Sequence, residues 1–317
     1  MKCFKSSKKL ICLICAMALL TGMCSVFAMA TTGYPAFSET VTGLGINIDV
    51  DRTPIYDTDI SVMSFNLMHE VSSASTEYHY DTPINRINKF ITILKTYQPD
   101  IICLQEFRVP DADKVKSYVN RYMKGYNAEY YMFPSSSGAF GNITLSRIPV
   151  KGKGKIKFDE SANLAIYSDY QYAGEQFRIY NCHFESYNVS VSGLLRGLVQ
   201  RDSLLIYSTG DKMKRSITRR PKQVDKVFEH IEECPIETFV CGDFNDNPMS
   251  YTYYRMTRGR KDTFKVAGNG FGASFASMWP MLRIDYILCP KKYAPVTHST
   301  PRIPYSDHYP VVSQIAL

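Results

Sequence analysis

The sequence predicts a mixed α/β protein in which helices flank β-sheet, and three observations lead to this prediction. Short apolar runs that are typical of buried strands recur along the chain. Amphipathic segments with the helical period lie between them. A strand–helix–strand succession of about 45 residues indicates a crossover unit whose helix covers a sheet.

The crossover unit begins with a buried strand at residues 61–68. A helix follows, with a cap at Asp81 or Thr82, Pro83 in its first turn and Pro99 as its stop. Its apolar side chains recur at the helical period: Ile84, Ile87, Phe90, Ile91 and Leu94. Residues 100–107 then return to strand character.

The same patterns predict the later elements. Helices are expected at residues 111–125 and 221–234. Strands are expected at residues 142–150, 177–184, 238–244, 283–289 and 311–317. Residues 31–60 and 187–220 show no clear period, and their structure is left open. No Pro/Gly/Ser-rich linker and no repeat divides the chain, so we predict a single catalytic domain at residues 61–317 after a lead segment at 31–60.

Residues 1–30 have the features of a secretory signal peptide. Four lysines and no acid open the segment, an apolar run follows from Leu10 to Leu20, and it ends at Ala28-Met29-Ala30. We therefore expect a secreted or otherwise extracytoplasmic protein. Lipoprotein anchoring through Cys24 is disfavoured, because the preceding Met23 is bulkier than the small residue such sites carry.

Charge argues against a dedicated nucleic-acid binder. Without the four lysines of the signal peptide, 33 basic residues face 30 acidic ones, which leaves a formal net charge of +3. Basic residues are concentrated at 212–222: Lys212, Lys214, Arg215, Arg219, Arg220 and Lys222. This stretch is either a solvated loop or a contact for phosphate-rich substrates.

Five cysteines follow the signal peptide, an odd number that excludes complete intramolecular pairing. No C-x-x-C spacing indicates zinc. Four of them lie in apolar, strand-like runs and are most simply small buried hydrophobes: Cys103, Cys182, Cys241 and Cys289.

Polar residues occur where the apolar runs end, a placement that brings side chains together at one rim of a sheet. They are Asn66, Glu106, His183, Asp243, Asn245, Asp285, Asp307 and His308. Taken singly, each has a structural explanation. Residues 243–248 could form only a turn, Glu106 could pair with Arg108, and His308 could be a structural histidine. The argument for function rests on their joint occurrence.

In order and spacing, these residues resemble the endonuclease/exonuclease/phosphatase superfamily, over residues 61–317. The matching motifs are FN at 65–66, QE at 105–106, NCH at 181–183, GDFND at 242–246, RIDY at 283–286 and SDHYP at 306–310. The resemblance implies a deoxyribonuclease I-like fold, in which two packed mixed β-sheets flanked by helices form a four-layer α/β sandwich. It also implies a metal-dependent phosphoric ester hydrolase.

The resemblance further implies a Mg²⁺ site, with Mn²⁺ as a substitute. Mg²⁺ takes oxygen ligands and keeps several waters, so one or two carboxylates hold it. Glu106 would be the direct ligand, with Asn66 nearby and Asp307 contributing. Met68, where some nuclease members carry a further acid, cannot supply a second contact of that kind.

The catalytic roles are also implied by the resemblance. Asp243 and Asn245 project to the same side of an extended segment, which suits orienting or deprotonating the attacking water and donating hydrogen bonds to phosphate. Asp285 would orient His308, which acts either as general base or as a cation that binds phosphoryl oxygens. His183 would act as an acid or oxyanion stabiliser. Water attacks directly, because no Ser or Cys nucleophile is implied.

Substrate choice is expected to depend on two segments. Phe275 and Trp279, in the loop at 268–282, would stack on a base, enter a lipid surface or pack beneath the loop. Arg219 and Arg220 would contact phosphate. A phosphodiesterase or nuclease is the favoured interpretation, with a phospholipid (sphingomyelinase-like) or sugar/inositol phosphate esterase as the alternative. A non-catalytic binding protein is disfavoured because every core residue is present. No stable protein partner is implied, and we expect a monomer.

Overall fold

In the computed structural model, the protein is described over residues 58–67, 83–135, 138–159, 161–187 and 203–317, with side chains omitted at 83–88 and 203–212. All of these residues belong to one compact unit, Val50–Leu317. The signal peptide, almost all of the lead segment, Met68 and the helix caps at Asp81 and Thr82 lie outside the described residues, so these expectations stay predictions.

The first sheet is formed by both ends of the described chain. Its strand order is β11-β12-β1-β2-β4-β3. The strands are β1 (Asp59–Asn66), β2 (Ile101–Val109), β3 (Asn127–Ser135), β4 (Gly138–Ser146), β11 (Ala294–Ser299) and β12 (Val311–Ala316). At its centre, β1 pairs in parallel with β2 and antiparallel with β12.

The second sheet is formed by the middle of the chain, in the order β5-β6-β7-β8-β10-β9. Its strands are β5 (Val150–Lys157), β6 (Leu164–Tyr172), β7 (Glu175–His183), β8 (Glu237–Asp243), β9 (Arg260–Asp262) and β10 (Asp285–Pro290). The pair β7–β8 is parallel, whereas β8–β10 is antiparallel. Both sheets are therefore mixed, as the sequence analysis predicts.

Helices cover the outer faces of the two sheets. The helices are α1 (Pro83–Tyr97), α2 (Val115–Tyr122), α3 (Ser203–Glu232), α4 (Tyr251–Thr257) and α5 (Thr263–Ala267). One core lies between α1, α2 and the first sheet, and a second lies between α3 and the second sheet. A third core lies between the sheets, where Val62 and Cys103 of one meet Ile179 and Cys241 of the other. The order helix, sheet, sheet, helix confirms the four-layer prediction.

Several element boundaries were predicted wrongly. The strand expected at 142–150 is the end of β4 and the start of β5, separated by a turn. The helix expected at 221–234 is the second half of α3, which contains Pro221 in its interior. The basic stretch therefore lies on a helix, and the loop interpretation is wrong. β3, β6, β9 and β11 were not predicted. β3, β9 and β11 consist mainly of partly exposed residues and give weak apolar runs, whereas in the mostly buried β6 the polar Ser168 and Asp169 interrupt the run.

The cysteine prediction is confirmed for the described residues: Cys103, Cys182, Cys241 and Cys289 are buried and unpaired. Within the described part of the chain, no helix combines the length and the apolar character needed to cross a bilayer.

Candidate active site

The polar residues predicted from the sequence converge at one rim of the sandwich. His183 and Asp285 lie beside Asp243 in the second sheet, as register partners on the two neighbouring strands. Asn66 ends β1 in the first sheet, beside the QE pair of β2. The site therefore forms where the central strands of both sheets end, and neither sheet contains all of its residues.

Asn66 joins the two sheets within the site. Its amide nitrogen donates to Glu106 Oε1 at 3.2 Å and to Asp243 Oδ2 at 2.9 Å. Asn66 is fully buried, and Ser306 donates to its carbonyl oxygen. An amide that donates to two carboxylates holds like charges close together, which fixes the separation of Glu106 and Asp243.

Glu106 has an unusual backbone conformation. Its φ is +53°, a region that non-glycine residues seldom adopt. The β2–β4 register shifts between Leu104 and Phe107, so β2 contains one extra residue at this point. Such a bulge re-aims a side chain, and strained backbone of this kind clusters at functional sites. Here it turns Glu106 toward Asn66 and His183, whose Nε2 lies 3.7 Å from Glu106 Oε1.

Asp243 lies at the centre of the site. Beyond the bond from Asn66, it accepts from the backbone and the side chain of Asn245, at 2.8 and 3.1 Å. Residues 243–248 therefore form a turn and also contribute to the site. Burial raises the pKa of Asp243 to about 6; His308 opposes this and Asp285 adds to it. Gly242 precedes it with φ +138°, and a Cβ there would meet the Cys182 carbonyl.

His308 and Asp285 form a buried pair. His308 Nδ1 lies 2.8 Å from Asp285 Oδ2, and its Nε2 lies 3.8 Å from Asp243 Oδ2. Burial opposes the charged imidazole, but Asp285 and Asp243 outweigh it and raise the pKa of His308 well above its ordinary value. Phe275 packs edge-on against the ring, with centroids 5.3 Å apart. The arrangement directs Nε2 toward the centre of the site.

The donor set fits a divalent cation that prefers oxygen. Asp243, Asp285 and His308 could bring three ligand atoms within 4.8 Å of one another. However, Asp285 Oδ2 and His308 Nδ1 already bond each other. Glu106 and Asp307 are the more accessible carboxylates, with side chains 38% and 22% exposed. Burial raises the pKa of Asp307 and Glu106 adds to the rise, a repulsion that a cation between the two would relieve.

A buried polar network beneath the site received no role from the sequence. Gln105 donates to Asn181 Oδ1 at 2.8 Å, and Asn181 donates to the carbonyls of Leu104 and Ile143. Asn142 donates to the Asn181 carbonyl. Because Gln105 precedes Glu106 and Asn181 lies two residues before His183, the network sets the segments that carry Glu106 and His183 relative to each other. The feature of the sequence that could have indicated this network is an amide side chain within an apolar strand.

Two serines were also missed. Ser274 is fully buried, and its hydroxyl oxygen accepts from the backbone N–H groups of Ile284 and Asp285. Ser306 donates to the Asn66 carbonyl at 2.8 Å and accepts from the His308 N–H. Each serine joins a loop to a strand end that carries a residue of the candidate site. Ser306 belongs to a quoted motif, whereas nothing in the sequence marks Ser274.

The predicted substrate-contact residues lie in different settings. Trp279 is 44% exposed, with the guanidinium of Arg302 4.6 Å from its ring centre. Phe275 packs on His308. Arg219 is partly exposed and lies 3.8 Å from Glu185. Arg220 is buried and bonds the Glu185 carbonyl and Asp246. Of these residues, Phe275 therefore lies closest to the His308–Asp285 pair. Arg220 joins the segment at Glu185 to the segment at Asp246.

Comparisons with known proteins bear on the family and on the fold. The sequence profile of the Endonuclease/Exonuclease/phosphatase family matches residues 63–308. A sequence search of curated proteins found no significant match. Among solved structures, D. rerio TDP2 complexed with single strand DNA product is 16% identical, with a TM-score of 0.57 over 82% of this chain and 100% of that chain.

Two further structures are similar in fold. The human Nocturnin catalytic domain with bound sulfate anion is 17% identical, with a TM-score of 0.58 over 81% of this chain and 93% of that chain. A mannosyl-6-phosphatase from Bacteroides thetaiotaomicron is 15% identical, with a TM-score of 0.57 over 81% and 100%.

Proposed function

The chain belongs to the endonuclease/exonuclease/phosphatase family and is thus a phosphoric ester hydrolase, and we propose that it is an exported, Mg²⁺-dependent phosphodiesterase. The observation that carries the proposal is the arrangement of Asp243 and the His308–Asp285 pair. Anionic and cationic groups meet there at the open rim, with His308 Nε2 3.8 Å from Asp243 Oδ2. Such an arrangement can activate water and stabilise phosphoryl oxygens at one point.

Each residue of the site has its own role in hydrolysis. Asp243 orients the attacking water and takes its proton, since a carboxylate with a raised pKa is a better base near neutral pH. His308, held by Asp285, acts as a cation toward the phosphoryl oxygens. The Asn245 amide donates to Asp243 and to the Phe184 carbonyl, and one of these bonds is exchanged for a bond to the phosphate. His183 stabilises the negative charge that develops on the phosphoryl oxygens. The new P–O bond comes from water, and the ester P–O bond breaks.

Mg²⁺ would be held by Glu106 and Asp307, with Asn66 beside them. When bound, it would supply Lewis-acid stabilisation of the departing oxygen. Mn²⁺ is expected to substitute, because it favours the same oxygen ligands.

A phosphodiester, and nucleic acid in particular, is the substrate class that we favour. One structure of similar fold is described as a complex with single strand DNA product. Another is a mannosyl-6-phosphatase, so the fold also serves sugar phosphates.

The proposal that the protein is exported rests on residues 1–30. A basic start, an apolar run and the A-x-A ending are the three parts of a secretory signal. Expression of the whole chain in a secreting host should yield a mature product beginning after Ala30, which mass spectrometry would detect. A product that retains residue 1 inside the cell would contradict export.

The activity test uses a chromogenic phosphodiester and the matching monoester. Wild-type protein should hydrolyse the diester faster, and only with Mg²⁺ or Mn²⁺. Asp243→Asn and His308→Ala should each lower kcat by about a hundredfold or more. Glu229→Gln, an exposed change on α3, serves as the control. Full activity in either site variant would refute the proposal.

A phospholipid esterase is the second candidate, favoured by the loop at 268–282. Phe271 is 58% exposed and Trp279 is 44% exposed in the loop that contacts His308 through Phe275. Such side chains can enter a lipid surface. Vesicle binding that Trp279→Ala abolishes, together with hydrolysis of sphingomyelin, would favour this candidate over nucleic acid.

A further inference from the structure

The edge strand of the second sheet carries a row of lysines on one face. β5 has the sequence VKGKGKIK, and its four lysines at 151, 153, 155 and 157 are all exposed. Alternate residues of a strand point to the same side and lie about 6.6 Å apart. Ile156 points the other way, into the core beneath α3. Lys153, Lys155 and Lys157 therefore face the edge of the first sheet, whereas Lys151 lies where the register of β5 with β6 shifts.

Aromatic rings on the first sheet meet these lysines. The ring centre of Tyr131 on β3 lies 4.2 Å from Lys155 Nζ and 4.8 Å from Lys157 Nζ. Phe133 lies 5.1 Å from Tyr131, and Phe140 on β4 lies 5.9 Å from Phe133. All three rings are partly exposed. Cations and rings thus form a continuous series across the side of the sandwich.

The series leads to the active site in both sheets. Arg108, two residues beyond Glu106, lies 5.4 Å from the ring centre of Phe140. In the second sheet, Lys157 is in register with His183, two strands away. Two strand spacings are about 10 Å. We define the cation–aromatic strip as Arg108, Phe140, Phe133, Tyr131, Lys157 and Lys155.

We propose that the cation–aromatic strip binds a single-stranded nucleic acid and leads it to the active site. The proposal rests on the phosphodiesterase function and names the polymer that this site would take. Lysines in a regular row can follow a phosphate backbone, and unpaired bases expose faces that stack on aromatic rings. A duplex hides those faces, and a lipid headgroup has none. The combination of rings and cations therefore favours a single strand.

A row of lysines on an edge strand also has a purely structural use. Charged side chains prevent such an edge from pairing with another sheet. Lys153 fits this use, because it pairs with Glu129 at 2.6 Å. Edge protection explains charge, but it does not require rings at Tyr131, Phe133 and Phe140 or continuity with Arg108. The two roles predict different behaviour for the same variants.

The experiment measures the affinity for a fluorescently labelled single-stranded oligonucleotide by anisotropy, in EDTA so that no hydrolysis occurs. Lys155→Gln/Lys157→Gln should raise Kd about tenfold, and the slope of log Kd against log salt should fall by about 1.4, because two phosphate contacts are lost. Tyr131→Leu should raise Kd about tenfold through lost stacking. The control is Lys116→Gln/Lys124→Gln, which removes the same charge from the exposed side of α2 and the turn after it.

Each outcome supports or overturns the strip. A twofold or smaller change in all strip variants, or an equal loss in the control, overturns it. Self-association of the lysine variant with unchanged Kd assigns the row to edge protection. Loss of binding to anionic vesicles, with oligonucleotide binding intact, assigns it to lipid. Circular dichroism confirms that each variant is folded.

The strip and the proposed function can fail separately. If wild-type protein hydrolyses the chromogenic diester but the strip variants bind the oligonucleotide like wild type, the strip is wrong and the function stands. If wild-type protein hydrolyses no diester and the strip variants lose binding, the strip stands and the function is wrong.

Discussion

His308 Nδ1 lies 2.8 Å from Asp285 Oδ2, and both side chains are buried at the rim where the two sheets meet. The carboxylate fixes the ring orientation and supports its positive charge, because it favours the protonated imidazole. The pair also limits the general-base interpretation, since Asp285 raises the pKa of the imidazole and so favours its protonated form.

Asp285→Asn should therefore lower kcat by about a hundredfold or more, with a smaller change in KM. The amide removes the negative charge that favours protonated His308. As pH rises, kcat should therefore start to decline at a lower pH in the variant than in wild type. The measurement is kcat from about pH 5 to about pH 9 in steps of about half a pH unit, a range that includes the ordinary pKa of histidine. Asp159→Asn, an exposed change, is the control. An unchanged pH profile would contradict the role of the pair.

Glu106→Gln should raise the half-saturating Mg²⁺ concentration about tenfold or more, because a carboxylate ligand becomes a weaker amide oxygen. Asp307→Asn should act in the same direction. Titration of activity with Mg²⁺, after removal of metal by a chelator, gives the constant. Glu229→Gln should leave it unchanged. If Glu106→Gln has the wild-type requirement, Glu106 is not a ligand.

Arg220→Gln should destabilise the protein by about 3 kcal/mol, because it removes the cation beside the Asp246 carboxylate, which is only 12% exposed and keeps a bond from Thr252. It should also lower kcat, since Arg220 bonds segments next to Asn245 and His183. Arg219→Gln breaks a longer, partly exposed ion pair and should cost no more than about 1 kcal/mol. Urea unfolding measures both variants, and equal losses would count against the distinction.

Acid should weaken the fold through His298. Burial lowers the pKa of His298 to about 4, below the ordinary value of about 6.5. Below pH 6.5 the unfolded chain binds a proton that the folded protein does not. Stability is therefore lost as pH falls from 6.5 toward 4, by about 2 kcal/mol for a half-buried ring.

His298→Gln should remove this dependence, while its amide keeps a bond to Thr263, 2.8 Å from His298 Nδ1. The free energies of unfolding of wild type and variant, compared at pH 7.5 and 4.5 by urea titration, should converge or cross at the lower pH. Parallel curves would show that His298 is not the group responsible.

The sequence located the polar residues that converge at the rim better than it located the strands around them. Asp243, Asp285 and His308 lie at ends of apolar strands, where period and polarity change abruptly, and that change is visible in the sequence. β3 and β5 are edge strands with few buried residues, so β3 was not predicted and the strand expected at 142–150 reaches only the first residue of β5. The length of α3 was also missed, because Pro221 reads as a start.

Other features depend on distance in space rather than on local pattern. The bond between Asn66 and Asp243 joins residues 177 positions apart. The left-handed φ of Glu106 follows from an extra residue in β2 relative to β4, which only the pairing reveals. The role of Ser274 depends on a loop that folds back on the RIDY segment. Such relationships require the tertiary structure.

The pairing of β12 with β1 has a consequence for synthesis. Asn66 and Glu106 come from β1 and β2, the first of the described strands to be made, whereas Asp307 and His308 are made shortly before β12, whose Ala316 pairs with Asp59. A ribosome-bound or prematurely terminated chain that stops before residue 306 lacks both His308 and the strand that closes the first sheet. Such a chain should be inert toward phosphate esters, so the hydrolase acquires its chemistry only when translation of β12 is complete.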